Sequence, residues 1–481
     1  MFQKLLFTLL IIFWSSFSLL AQDLINVQWI GSQTKETLNT QFGLAFFSYD
    51  VDHYKVEYTS LDVAGQLDTV SGLLTIPEGP DKIFPMLCYQ HGTVGAKEDV
   101  PSNLEGGFQL AEIWGALGYI TFAPDFLGLG EGRGFHPYVH AASEAWVAID
   151  MMSAVKTYLD DNEYFYNDQL FVTGYSQGGH AAAALHKEIE ENYSDQITVT
   201  ASAPMSGPYS ISGVMNDFMV AEIPYGFVGY LPYTLLSYET VYGNIYDELS
   251  DIFKPNYVQD IENFYTGQID LWDLNQSLIN KLIQDFGDSY PSKLLKDDVV
   301  DDVLNDPDHP MNVALRDNDV FEWAPQAPTR LYYCEGDEQV PFMNSVVADS
   351  VMNMLGAIDT QAENLDFNAE LDHFNSVQPA MLNAMIFFAG YAQIDDSSNT
   401  FSPDLNDKFS IFPNPAVDLF FLENKNDGGL LQLIDLTGKV LLEQNLVSGT
   451  NEIRVNGLTS GVYLVKVNFA GQFFTKKLFV R

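Results

Sequence analysis

Apolar and polar positions change period several times along the chain. Residues 54–60 and 68–76 predict paired early strands, the second ending at Pro77. Residues 84–89 form a buried-type apolar run, followed by a Gly-bearing loop and a helix-like stretch around 108–117. A strand at 119–123, a helix at 142–159, a strand at 169–173 and a helix at 176–192 continue the alternation. Two more strands at 198–203 and 329–333, then a closing amphipathic helix at 379–392, complete it. Strands alternating with helices predict a mainly parallel sheet covered on both faces, an α/β unit spanning residues 22–394.

Beyond the polar stretch 395–400 the pattern shortens. Apolar runs rich in β-formers at 430–434, 440–443, 452–455, 462–467 and 473–480 alternate with turn residues such as Thr437-Gly438 and Ser448-Gly449. They predict a small all-β sandwich over 408–481, joined by a linker at 395–407. Charge changes at the same place. The 481 residues carry 22 Lys/Arg against 65 Asp/Glu, a net −43. From Lys408 on, eight Lys/Arg face six Asp/Glu, about +2, which leaves about −45 on the part before it. A surface this acidic repels phosphate backbones and excludes nucleic acid as a partner.

At the other end, Lys4, the apolar run 5–14 and the small residues Ser15, Ser16, Ser18 and Ala21 predict a cleaved secretory signal at 1–21. The run is short for a membrane anchor, and no later stretch is long enough, so the mature chain is expected to have no transmembrane segment. Cys88 and Cys334 are too few and too far apart for a disulfide scaffold or a Cys-based zinc site. Two free, buried thiols are expected.

The sharpest motif is Gly174-Tyr175-Ser176-Gln177-Gly178-Gly179, set between the apolar run 170–172 and the helix-forming run 181–185. A tight strand-to-helix turn strains the serine backbone and needs small neighbours, and it presents the hydroxyl at the sheet edge. Ser176 is therefore the candidate nucleophile. A serine needs a base. Of the eight histidines, four follow Ser176, and only His309 and His373 lie beyond the helix predicted at 176–192. His309 sits in an acidic, Pro-rich segment, so His373, just before the closing helix, is the candidate base. Asp337, after Gly336 at the end of a β-rich run, is the candidate carboxylate, with Glu335 and Glu338 as alternatives. The oxyanion is expected to be held by the N–H groups of Gln177 and Thr93. Next to it, His91 reads as structural. His136 and His140 are spaced as a metal pair could be, but without an HExxH glutamate no metal is expected, and no cofactor.

Together these motifs, with Pro124-Asp125-Phe126-Leu127-Gly128-Leu129-Gly130 and His136-Pro137-Tyr138, resemble the α/β-hydrolase superfamily in its secreted lipase/esterase branch. The resemblance spans roughly residues 50–392. It implies attack by Ser176, an acyl-enzyme, and hydrolysis by a His373-activated water. About 120 residues, 205–324, interrupt the pattern where this fold commonly carries a cap or lid. Within them the aromatic run 224–236 could line an acyl pocket or simply pack the cap, and the acidic run 296–308 reads as a solvated face, with calcium binding as the alternative that lacks an EF-hand spacing. Phe412-Pro413-Asn414-Pro415, Asp435-Leu436-Thr437-Gly438-Lys439-Val440, Gly461-Val462-Tyr463 and Lys476-Lys477 resemble the C-terminal sorting domain of type IX secretion substrates. That implies the type IX machinery as partner and export through the periplasm to the cell surface or beyond. The expected function is a secreted serine hydrolase of small-molecule carboxylic esters. A peptidase of the same fold and a non-catalytic adhesion protein are the alternatives.

Overall fold

The computed structural model describes residues 23–42, 46–366, 368–396, 409–414, 416–424, 428–434, 439–458, 461–469 and 472–480. The expected signal segment, residues 397–407 of the expected linker, and the motif residues Pro415 and 435–438 lie outside them. The chain divides into two compact units, one ending at Asp395 and one starting at Asp396.

The first unit is built on one twisted sheet. Its nine main strands are β1 (Leu24–Gln33), β2 (Val51–Leu61), β3 (Leu67–Pro77), β4 (Lys82–Gln90), β5 (Ile120–Pro124), β6 (Tyr166–Tyr175), β7 (Val199–Met205), β8 (Thr329–Tyr333) and β9 (Thr360–Asn364). They lie in the order β1-β2-β3-β5-β4-β6-β7-β8-β9. The β1–β2, β2–β3 and β3–β5 pairs are antiparallel, and every pair from β5–β4 to β8–β9 is parallel. Central strands are largely apolar: β5 is wholly buried, and so is β4 after its first residue. Such runs fit a parallel sheet with helices on both faces.

Those helices are α1 (Lys35–Phe42), α2 (Phe108–Ala116), α3 (Ala141–Asp161) and α4 (Gln177–Asn192) in the first half. The cap follows β7, with α5 (Asn216–Val220), α6 (Tyr230–Tyr242), α7 (Leu249–Ile252), α8 (Pro255–Tyr265), α9 (Leu271–Phe286), α10 (Asp297–Asn305) and α11 (Pro310–Asp317). After β8 come α12 (Met343–Leu355) and α13 (Val377–Ala389). The 205–324 insertion is thus an all-helical cap with its own core, in which Tyr233, Leu236, Leu274, Leu278 and Leu282 are buried. On α10 the acids at 297, 298, 301 and 302 are exposed and only Val303 is buried, and Asp297 pairs with Lys254 at 2.8 Å. Both cysteines are free and buried.

The second unit is a small sandwich. Phe409–Phe412, Leu419–Asn424 and Gly449–Arg454 form one antiparallel sheet, and Val440–Asn445, Leu430–Ile434, Gly461–Phe469 and Gln472–Val480 form the other. Alternate residues of both sheets, including Phe420, Leu422, Leu431, Leu433, Val465 and Val467, meet in one core.

Candidate active site

Ser176 stands between β6 and α4 with φ 63° and ψ −122°, a backbone conformation that non-glycine residues rarely adopt. Its surroundings enforce it. A Cβ at Gly174 would lie 2.2 Å from the Gly178 carbonyl oxygen, and one at Gly178 would lie 1.9 Å from the Gln90 carbonyl oxygen. Three backbone segments therefore touch where only glycines fit: the ends of β4 and β6 and the start of α4. The Ser176 N–H donates to the Met205 carbonyl at 3.0 Å, which ties the turn to β7. Ser176 is partly exposed, while its neighbours on either side are buried.

His373 lies in the loop between β9 and α13 and is buried. Its Nδ1 is 2.7 Å from Asp337 Oδ2, and the Asp337 side chain is 2% exposed. The other Asp337 oxygen accepts the backbone N–H groups of Gln339 (3.0 Å) and Val340 (2.8 Å). Gly336 makes this turn possible, because a Cβ there would sit 2.5 Å from the Leu371 carbonyl oxygen on the His373 loop. The imidazole is held from other sides as well. Its ring centroid is 5.0 Å from that of Tyr175, whose hydroxyl donates to the His373 carbonyl, and the His373 backbone N–H donates to Glu338 Oε2 at 2.8 Å. Of the two alternative carboxylates, Glu338 thus takes the histidine backbone, and Glu335 bonds Asn364 at an exposed position.

Ser176, His373, Gly92 and Thr93 line one cavity that opens beside Trp272 and Phe374. A Cβ on Gly92 would be 3.7 Å from that of Ser176, so the loop after β4 runs close against the nucleophile. The Thr93 hydroxyl is 2.9 Å from the Tyr138 hydroxyl. Gln177 opens α4, where a backbone N–H has no intrahelical acceptor and the helix dipole favours negative charge.

Sequence reasoning missed the environment of Gln177. Its side-chain amide turns away from the cavity and donates to Glu144 Oε1 (3.0 Å) and to His136 Nε2 (2.8 Å). Burial holds the His136 imidazole down to about 3, so it is neutral, accepting there and donating from Nδ1 to the Leu127 carbonyl. The other Glu144 oxygen pairs with His180 Nδ1 at 2.7 Å. Burial opposes charge on His180, but Glu144 outweighs it and raises the pKa. Glu144 stands in α3 with no motif around it, and nothing in the linear pattern marks it. His140 bonds Ser143 instead of sharing a site with His136. His91 is buried with Nδ1 2.7 Å from the Gly92 carbonyl oxygen, and His309 caps α11.

A second cavity meets the first at Ser176. It lies on the cap side and is lined by aliphatic residues such as Ile211, Met215, Met219, Leu231, Leu315 and Val340, with no charged side chain. The aromatic run of the cap has both roles: Tyr230 and Leu231 line this cavity, whereas Tyr233 is buried and stacks on Tyr138 with centroids 4.3 Å apart.

Parallel strands, a strained serine between a strand and a helix, and a capped sheet edge define the α/β-hydrolase fold. Comparison with known proteins agrees. Residues 108–210 match the Prolyl oligopeptidase family, and residues 410–481 match the Secretion system C-terminal sorting domain. The rice cell wall degrading esterase LipA from Xanthomonas oryzae superposes with a TM-score of 0.67 at 26% identity, covering 77% of this chain and 97% of that one. Candida antarctica lipase A gives a TM-score of 0.56 at 13% identity over 77% of this chain and 82% of its own, a likeness of fold alone. No curated protein sequence matches. The protein is an α/β-fold hydrolase that ends in a type IX sorting domain, and that tail implies secretion or cell-surface export. Among the described residues no helix is long and apolar enough to cross a membrane.

Proposed function

We propose that the protein is an exported serine ester hydrolase with Ser176 as nucleophile, His373 as base and Asp337 as the carboxylate that orients it. Ser176 Oγ attacks the ester carbonyl as His373 Nε2 takes its proton. The oxyanion is met by the N–H groups of Gln177 and Thr93. His373 then protonates the leaving alcohol, and a water that it activates releases the acid from Ser176. The observation that carries this reading is the 2.7 Å His373–Asp337 contact in a cavity shared with a serine at positive φ. The signal-like first 21 residues and the sorting tail support passage through the periplasm, with the type IX machinery as partner.

The choice of ester over amide rests on the two cavities. A leaving group must reach His373, so it occupies the open cavity, and the acyl part enters the aliphatic one. A peptide would bring polar amides into that charge-free lining, at a cost unless each is hydrogen-bonded. The esterase neighbour supports the same choice. The match to the Prolyl oligopeptidase family favours the peptidase alternative, but it stops at residue 210, before the cap helices α5–α11, Asp337 and His373. Turnover of p-nitrophenyl esters beside peptide anilides separates the two. Ester cleavage with no anilide cleavage is expected, and anilide cleavage alone would reverse the assignment. Turnover of neither would favour an adhesion protein on a hydrolase scaffold.

A further inference from the structure

Three residues line both cavities: Ser176, Tyr230 and Gln339. Tyr230 is the first residue of α6 in the cap, and Gln339 lies two residues after Asp337 in the core. The Tyr230 hydroxyl donates to Gln339 Oε1 at 3.1 Å. Both ends of this bridge are anchored. The Gln339 N–H is held by Asp337 Oδ1 at 3.0 Å, and its carbonyl accepts the Tyr225 hydroxyl at 2.8 Å. Gly229, just before Tyr230, donates its N–H to Asn275 Oδ1 at 2.9 Å. A side-chain hydrogen bond between cap and core therefore stands beside the nucleophile, at the junction of a polar mouth and an aliphatic chamber.

Resting on the ester-hydrolase reading above, we infer that the Tyr230–Gln339 pair determines specificity by fixing the passage into the cap-side chamber, and that the passage selects unbranched aliphatic acyl chains. An acyl group bound to Ser176 enters the chamber only past these two side chains. A straight chain threads a passage bounded by a tyrosine ring and an amide. A substituent on the carbon next to the carbonyl would strike the bridge, because that carbon lies nearest Ser176. Deeper in, methionines at 215, 219 and 311 give the lining a shape that adapts along a chain. Each methylene buried there is worth about fourfold in kcat/KM.

The test compares p-nitrophenyl acetate, butyrate, hexanoate, octanoate and 2-methylhexanoate in the wild type, Gln339→Ala and Tyr230→Phe. The wild type is expected to climb from acetate to hexanoate and to turn over hexanoate at least tenfold better than its 2-methyl analogue. Both variants should narrow that last ratio fivefold or more. Tyr230→Phe keeps the ring and loses the hydroxyl that makes the bridge, so it reads the bridge even where Gln339→Ala disturbs the turn. A ratio unchanged within twofold in both variants overturns the inference while leaving the hydrolase reading intact. Calorimetric binding of hexanoate and 2-methylhexanoate to Ser176→Ala, with and without Tyr230→Phe, reads the passage without chemistry. A linear preference there that Tyr230→Phe reduces supports the passage even if no ester is cleaved, and equal binding of the two acids overturns it.

Discussion

Replacing Gly178 with alanine strikes the point where fold and site are the same contact. The new methyl would sit 1.9 Å from the Gln90 carbonyl oxygen, 2.6 Å from its carbon and 2.8 Å from the His91 carbonyl oxygen, all of them backbone. Ordinary contact begins at 3.4 Å, so the end of β4 and the start of α4 must part by about 1.5 Å. Gly92 and Thr93 follow directly, and they would move off Ser176 with it. Overpacking of this kind costs about 1–3 kcal/mol of stability. Displacing an oxyanion donor by about 1 Å costs on the order of 100-fold in rate. The assay is kcat/KM on a p-nitrophenyl ester beside urea unfolding of the same sample. Gly31→Ala is the control, because nothing lies within 4 Å of its Cβ, and it should stay within about 0.5 kcal/mol of the wild type. A folded Gly178→Ala protein with activity within threefold of the wild type would refute the reasoning.

Two further outcomes follow from the same geometry. Asp337→Asn keeps the turn but spoils the acceptor that fixes the His373 tautomer, so kcat should fall by about 10⁴-fold with little change in KM; a loss under tenfold in steady-state kinetics would move the role elsewhere. His136 and His140 are held by burial down to about 3 and about 4 in the folded state, below their usual value. The unfolded chain therefore binds more protons as pH falls below about 6.5, and stability falls with it at about 1.4 kcal/mol per pH unit for each group. Urea unfolding at pH 4.5–6 should show a slope shallower by about that amount in His136→Gln, and an unchanged slope would contradict the neutral assignment.

How much of this was legible in the sequence depended on where each element lies in the sheet. Strands β4, β5 and β6 announced themselves because both of their faces are covered. β1 and β9 did not, since they form the two edges: on β9 only Thr360 is buried, and β1 has no buried residue. Helix α4 and the elbow were readable because glycines mark backbone contacts that no other residue tolerates. Asp337 and His373 were readable as residues at turns, from Gly336 and from the closing helix. The Tyr230–Gln339 bridge and the Gln177–Glu144–His180 network were not. They join residues 109 and 33 to 36 positions apart, and only the packing of α3 against α4 and of the cap over the core brings them together.

The most direct test is where a fluorophosphonate probe attaches. Intact-mass and peptide analysis of the labelled wild type should find one adduct, on the peptide that carries Ser176, and none in Ser176→Ala. An adduct on another residue, or labelling that persists in the variant, would contradict the assignment of Ser176 as the nucleophile.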